Sequence, residues 1–187
     1  MNDLALVKRV LSNAPGSFDE LVQSYQKLVW QVISRLVQNQ DDTLELSQEV
    51  FLQVYYKLEQ FKGDSSLATW IGRVAYNFGL RFLQKQGRAL PIVEGHSVEQ
   101  ETSRKEADEL GGQFERVQQL AIKEALAEAL AHLPPEQRTI ISLYHFNDMT
   151  TVEIAEICNM PQGTVKSHLS RARERLKSAL ESSRKIL

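Results

Sequence analysis

The sequence predicts an all-α protein made of two small helical domains joined by a linker. Three observations carry this. Apolar residues recur at spacings of three and four over most of the 187 residues, the period of amphipathic helices. That period fades between Gly87 and Glu115, where glycines, Pro91 and acidic residues collect. Last, Thr150 to Lys177 reads as a short helix, a tight break and a basic helix, the pattern of a helix-turn-helix.

Taken in order, residues 3–12 suit a short helix that stops before Asn13-Ala14-Pro15-Gly16. Ser17 and Glu20 have capping-box spacing. The helix that follows carries Leu21, Leu28, Val29, Val32, Ile33 and Leu36 on a wide apolar face. After Asn39-Gln40-Asp41-Asp42 a second long helix turns Leu46, Val50, Phe51 and Val54 inward. Its Asp42, Glu45, Gln48 and Glu49 point outward, and the three carboxylates share one face. Taken alone, that face reads as solvated charge near a helix N-terminus. Phe61–Ser66 forms a loop, with Ser65 or Ser66 as cap. The next helix buries Leu67, Trp70, Ile71 and Val74 and leaves Arg73, Tyr76, Asn77, Arg81 and Lys85 to the open side. Trp70 lies on the apolar stripe and belongs to the core.

These helices define a first domain over residues 1–86, and the linker spans 87–115. The second domain, 116–187, resumes with Leu120, Leu126 and Leu130 and breaks at Pro134-Pro135. Pro135 suits a first helical position. The helix-turn-helix follows. Thr150 and Glu153 form a capping box, and Asn159 suits a left-handed C-cap before Pro161. In the last helix Val165, Leu169, Ala172 and Leu176 line one face. Lys166, Ser167, Ser170, Arg171, Arg173 and Arg175 occupy the others.

The net charge of −2 hides an uneven distribution. Met160–Leu187 carries a local +5, Gly72–Arg88 a local +4, and Pro91–Leu110 a local −4. Two basic segments flank an acidic one, and clustered cations are what phosphate binding requires. The single cysteine, Cys158, allows no intrachain disulfide and reads as a small buried hydrophobe. No signal-peptide core and no membrane-length apolar run occurs, so a cytoplasmic protein with no membrane insertion is expected. The four histidines are scattered, with no metal-ligand spacing and no phosphate loop, so no metal, cofactor or catalytic residue is expected. A small helical hydrolase or transferase would need clustered acid, base or nucleophile.

Leu133-Pro134-Pro135-Glu136-Gln137-Arg138, Val152–Glu156 and Gly163–Arg173 resemble region 4 of the extracytoplasmic-function sigma factors of bacterial RNA polymerase. Phe18–Leu21, Gln48–Phe51, Phe61–Ser65 and Thr69-Trp70-Ile71 with Arg73 and Asn77 are similar to region 2 of the same family. Each motif is weak alone; their order and spacing across two domains make the match specific. The resemblance implies a promoter-specificity subunit rather than an enzyme. The alternative is a stand-alone helix-turn-helix regulator, which would bind its duplex site without polymerase.

By the family pattern, Lys166, Ser167, Ser170 and Arg171 would read the −35 element in the major groove. Lys62, Asn77, Arg81 and Lys85 would meet the −10 element, where bases leave the stack. Asp42, Glu45, Gln48 and Glu49 would dock on the β′ clamp helices of the polymerase core, and region 4 on the β flap. The linker would thread across polymerase between the two elements. An anti-sigma factor is a further partner that the resemblance implies.

Three departures from the family pattern matter. Asp42-Thr43-Leu44-Glu45 lacks one acid of the family's usual Asp-Ala-Glu-Asp, which raises the idea that a kinase restores the charge by phosphorylating Thr43. His168 stands where an arginine is usual, which implies a weaker or pH-sensitive phosphate contact. Tyr144 replaces a basic −35 contact of some members.

Overall fold

A computed structural model describes residues 3–87 and 124–184. The predicted linker, apart from Gly87, lies outside the described residues. α1 (Asp3–Leu11), α2 (Ser17–Val37) and α3 (Gln40–Lys57) are followed by a single 3-10 turn, Leu58–Gln60, and then by α4 (Leu67–Lys85). The second half comprises α5 (described over 124–131), α6 (Pro135–Phe146), α7 (Thr151–Cys158) and α8 (Gln162–Arg184). No strand occurs among the described residues, as the all-α prediction expected.

Local chemistry sets the helix boundaries. Asn39 caps α3, its side chain accepting from the Asp42 amide, and Ser66 caps α4 by accepting from the Thr69 amide. Thr150 and Glu153 form the predicted reciprocal capping box of α7, and Asn159 ends it with φ 51°. Pro135 occupies the first turn of α6. The expected capping box at Ser17 does not form. Gly16, at φ 71°, holds the N-cap position, and Ser17 lies inside the helix, donating to Ala14 O at 2.6 Å. Glu20 instead pairs with Arg9 at 2.7 Å, tying α2 to α1.

Asp3 fastens the first half together. One carboxylate oxygen accepts from the Leu67 amide at the start of α4 at 2.8 Å, and the other accepts from the Tyr25 hydroxyl of α2 at 3.2 Å. Burial, and then the neighbouring Asp3 charge, push the Tyr25 phenol up to about 12.

The core does not stop at the predicted domain boundary. Val29, Val32, Ile33 and Leu36 of α2 join Leu46, Val50 and Val54 of α3 and Leu67, Ile71 and Ala75 of α4 in one buried cluster. The same cluster runs on into Ile140 and Leu143 of α6, Ile154 and Ile157 of α7, and Val165 and Leu169 of α8. α2 packs on α6, and α4 packs on α7. The chain thus folds as two helical units in direct contact.

Candidate nucleic-acid interface

On α4 the inward residues fix the phase of the outward ones. Leu67, Trp70, Ile71 and Ala75 are buried, and Trp70 meets Phe61 edge-to-face at 5.8 Å, so Trp70 is core as expected. Arg73, Asn77, Arg81 and Lys85 follow at intervals of four and are all exposed. This row of polar and cationic groups on one helix face can hold a phosphate backbone, with Asn77 able to both donate and accept at a base edge. Lys62 is exposed in the loop before the helix. Tyr76, expected on the open side, is 1 % exposed. It falls one residue from that row, toward α7, and its hydroxyl faces the weakly polar Cys158 thiol.

α8 is laid out less simply. Lys166 and Ser170 are exposed and Arg171 is half-buried, so these three can face a groove. Ser167 cannot: it is 9 % exposed, and its hydroxyl donates to Gly163 O at 3.0 Å. By helical phase position 167 falls between Ser170 and Arg171 on the outward arc, so the expectation that it reads bases is corrected only by its hydroxyl folding back on the preceding turn. His168 is 3 % exposed, so it is no phosphate contact either. Positions 165, 168, 169 and 172 make one inward stripe at helical spacing. Burial, and then the nearby Arg171 charge, lower the His168 pKa and favour the neutral ring. Farther along, Arg173 lies over the Tyr144 ring at 5.3 Å and Arg175 donates to Gln137 Oε1 at 3.3 Å. Both cations brace α8 on α6, and Tyr144 serves as the packing surface of Arg173. Cys158 is buried, and burial pushes its thiol up to about 12, which leaves it inert as expected.

The acidic face of α3 is open. Glu45, Gln48 and Glu49 are exposed and Asp42 is half-buried in the first turn. Sequence reasoning missed the apolar residues beside them: Leu44 and Leu52 are each 54 % exposed and Tyr56 is 72 % exposed. Their signal was phase, since they fall opposite Leu46, Val50 and Val54. Acids alternating with exposed leucine and tyrosine make a surface suited to a protein partner. Thr43 is different. It is 1 % exposed, and its hydroxyl donates to Asn39 O at 2.5 Å. The expected phosphoacceptor is therefore covered and occupied in this fold, and a kinase has no access to it. Among the described residues no group of acidic, histidine or cysteine side chains could hold a metal, and no helix is long and apolar enough to cross a membrane.

Comparison with known proteins assigns this arrangement. The sigma-70 region 2 family model matches residues 21–89, and the sigma-70 region 4 model matches residues 123–176. The chain is 32% identical to the ECF RNA polymerase sigma-E factor of Escherichia coli K12, over 97% of this chain and 95% of that one. It is 30% identical to the sigma-E factor of Haemophilus influenzae, over 97% and 96%. Among solved structures, CnrH in complex with the cytosolic domain of CnrY has the same fold, with a TM-score of 0.66 at 19% identity, covering 96% of this chain and 97% of that one. RpoE in complex with the anti-sigma factor NepR from Bartonella quintana matches with a TM-score of 0.65 at 21% identity, covering 89% and 98%. The chain belongs to the extracytoplasmic-function sigma factors: it is a transcription initiation factor that directs polymerase to promoters, and not an enzyme.

Proposed function

We propose that three outward surfaces divide the work of promoter recognition. The α3 face, with Asp42, Glu45, Gln48, Glu49 and the exposed Leu44 and Leu52, docks on the β′ clamp helices of core polymerase. The row Arg73, Asn77, Arg81 and Lys85, with Lys62, takes the unpaired strand of the −10 element. Lys166, Ser170 and Arg171 enter the major groove of the −35 element. The apolar groove between Leu126, Leu130, Ile141, Phe146 and Leu176 suits the β flap. The observation that carries this reading is the pair of outward cationic faces on α4 and α8, each separate from the core. The protein works in the cytoplasm, and an anti-sigma factor restrains it, a reading supported by the structurally similar RpoE having been solved with one.

Run-off transcription with core enzyme tests the division. Glu49→Lys should weaken core binding with the fold intact by circular dichroism. Asn77→Ala should preserve core binding and lose promoter opening. A wild-type chain that binds a specific duplex tightly without polymerase, and yields no transcript with it, would favour the stand-alone regulator.

A further inference from the structure

Two charged side chains serve helix ends from far along the chain. Arg138 of α6 donates from Nε to Arg35 O and from Nη2 to Leu36 O at 3.4 Å, both in the last turn of α2. Asp3 of α1 does the converse at the start of α4. Ser66 caps that helix: its hydroxyl accepts from the Thr69 amide at 3.1 Å, and its carbonyl accepts from the Trp70 amide at 3.1 Å. The cap leaves the Leu67 amide, another of the orphan donors of the helix end, without an acceptor. Asp3 Oδ2 takes it at 2.8 Å, where a carboxylate also meets the positive pole of the helix. The other oxygen, Oδ1, accepts from the Tyr25 hydroxyl of α2 at 3.2 Å, which fixes how the carboxylate is turned.

The next residue of α1 makes a second contact. Gly63 stands at φ 82°, and a Cβ there would lie 3.2 Å from Leu4 Cδ2. Leu4 is 49 % exposed, so it is no core residue. α1 itself is fixed by the buried Leu6, Val7 and Val10 and by the Arg9–Glu20 pair. An anchored helix therefore touches the loop before α4 at two places: at Gly63 through Leu4, and at Leu67 through Asp3. Asp64, Ser65 and Ser66 lie between them, and the exposed Lys62 lies just before. At the start of the loop, Phe61 is buried against Trp70.

We propose that α1 is the positioning element of the −10 face: Asp3 and Leu4 hold the Lys62–Ser66 loop in one shape, and so set how sharply an unpaired −10 base is chosen. The proposal rests on the assignment of this loop and α4 to the −10 element. Asp3 acts through the Leu67 amide and Leu4 through Gly63, so neither has to touch DNA. A short exposed loop of small and polar residues would otherwise sample many shapes, and a loop that moves accepts more than one base. Ordering it before DNA arrives removes that ordering cost from binding. A site whose support is loose by about an ångström keeps its residues and loses its precision. The carboxylate suits the place, because it only accepts and both of its neighbours donate.

Holoenzyme assembled from core polymerase and the full chain tests this on two template pools, one randomised across the −10 element and one across the −35 element. Sequencing the transcripts gives the base preference at each position. The wild type should prefer one base by about tenfold or more at the −10 position that the loop reads, and Asp3→Ala should reduce this to about threefold or less, with the −35 preference unchanged. Asp3→Asn should restore most of it, since its carbonyl can accept from Leu67 while its amide donates to the Tyr25 oxygen. A merely destabilised fold would lower the yield from every template and leave both preferences in place. An Asp3→Ala chain that keeps its full −10 preference, or that only loses yield uniformly, would overturn the proposal, as would an Asp3→Asn chain no better than Asp3→Ala. Should Asp3→Ala fail to fold, Leu4→Ala, at a half-exposed position, should blunt the same −10 preference by a smaller factor, and an unchanged preference there counts equally against α1. If neither Lys62→Ala nor Asn77→Ala alters the −10 preference, the assignment of the face falls and the positioning role with it. If those two alter it and Asp3→Ala does not, the positioning role alone falls.

Discussion

α4 and α8 carry the same kinds of residue on the same period, yet only α4 presents them as a simple row. On α4 the outward residues at 73, 77, 81 and 85 are all exposed. On α8 the neighbours of Lys166 have little exposure, and the cations at 173 and 175 are engaged with α6. The difference lies in what surrounds each helix. α4 packs on α2, α3 and α7 and still keeps one open face, whereas α8 packs on α6 and α7 and sends its later cations onto α6.

The contrast can be broken or sharpened by substitution. The largest effect should come from the inner stripe of α8: Leu169→Ala should cost about 2–5 kcal/mol in urea unfolding, while Asn77→Ala on α4 should stay within about 0.5 kcal/mol of wild type. Next, Arg171→Ala should weaken −35 recognition by about 1–3 kcal/mol in holoenzyme binding to promoter fragments. Ser167→Ala should leave promoter choice unchanged, and a shift in −35 preference there would restore Ser167 to the groove. Thr150→Ala removes the cap of α7 and should cost about 1 kcal/mol in thermal unfolding, without touching α4.

The smallest effect concerns pH. The folded His168 pKa lies below its unfolded value, so the unfolded chain takes up its proton first as pH falls. Stability should decline from about pH 6.5 downward, until the lowered folded value is passed. His145, lowered by burial and then by Arg173, adds in the same direction. Urea midpoints at pH 7.5 and 5.5 should differ less in His168→Leu than in wild type.

Helix positions, the caps at Ser66 and Thr150, the core role of Trp70 and the open row on α4 were legible in the sequence, because each depends on local spacing. The acidic face of α3 was legible for the same reason. His168 and Tyr76 were misplaced because their burial depends on a second helix arriving from elsewhere in the chain, and Ser167 because its hydroxyl folds back onto Gly163. Thr43 lies in the first turns of its helix as its position suggests, and its phosphorylation is closed off because the hydroxyl turns back to Asn39 O. The contact of α2 with α6 was hidden more deeply. Arg138 sits in a motif that resemblance marks, but nothing in its neighbourhood says that its partners are carbonyls about a hundred residues earlier.

That separation has a consequence in time. Arg138 and its acceptor on α2 stand 103 residues apart. At a synthesis rate of about 5–20 residues per second, the last turn of α2 waits roughly 5–20 s for its cation. Through that interval the Arg35 and Leu36 carbonyls are served by water, and the guanidinium displaces that water only once α6 has been made.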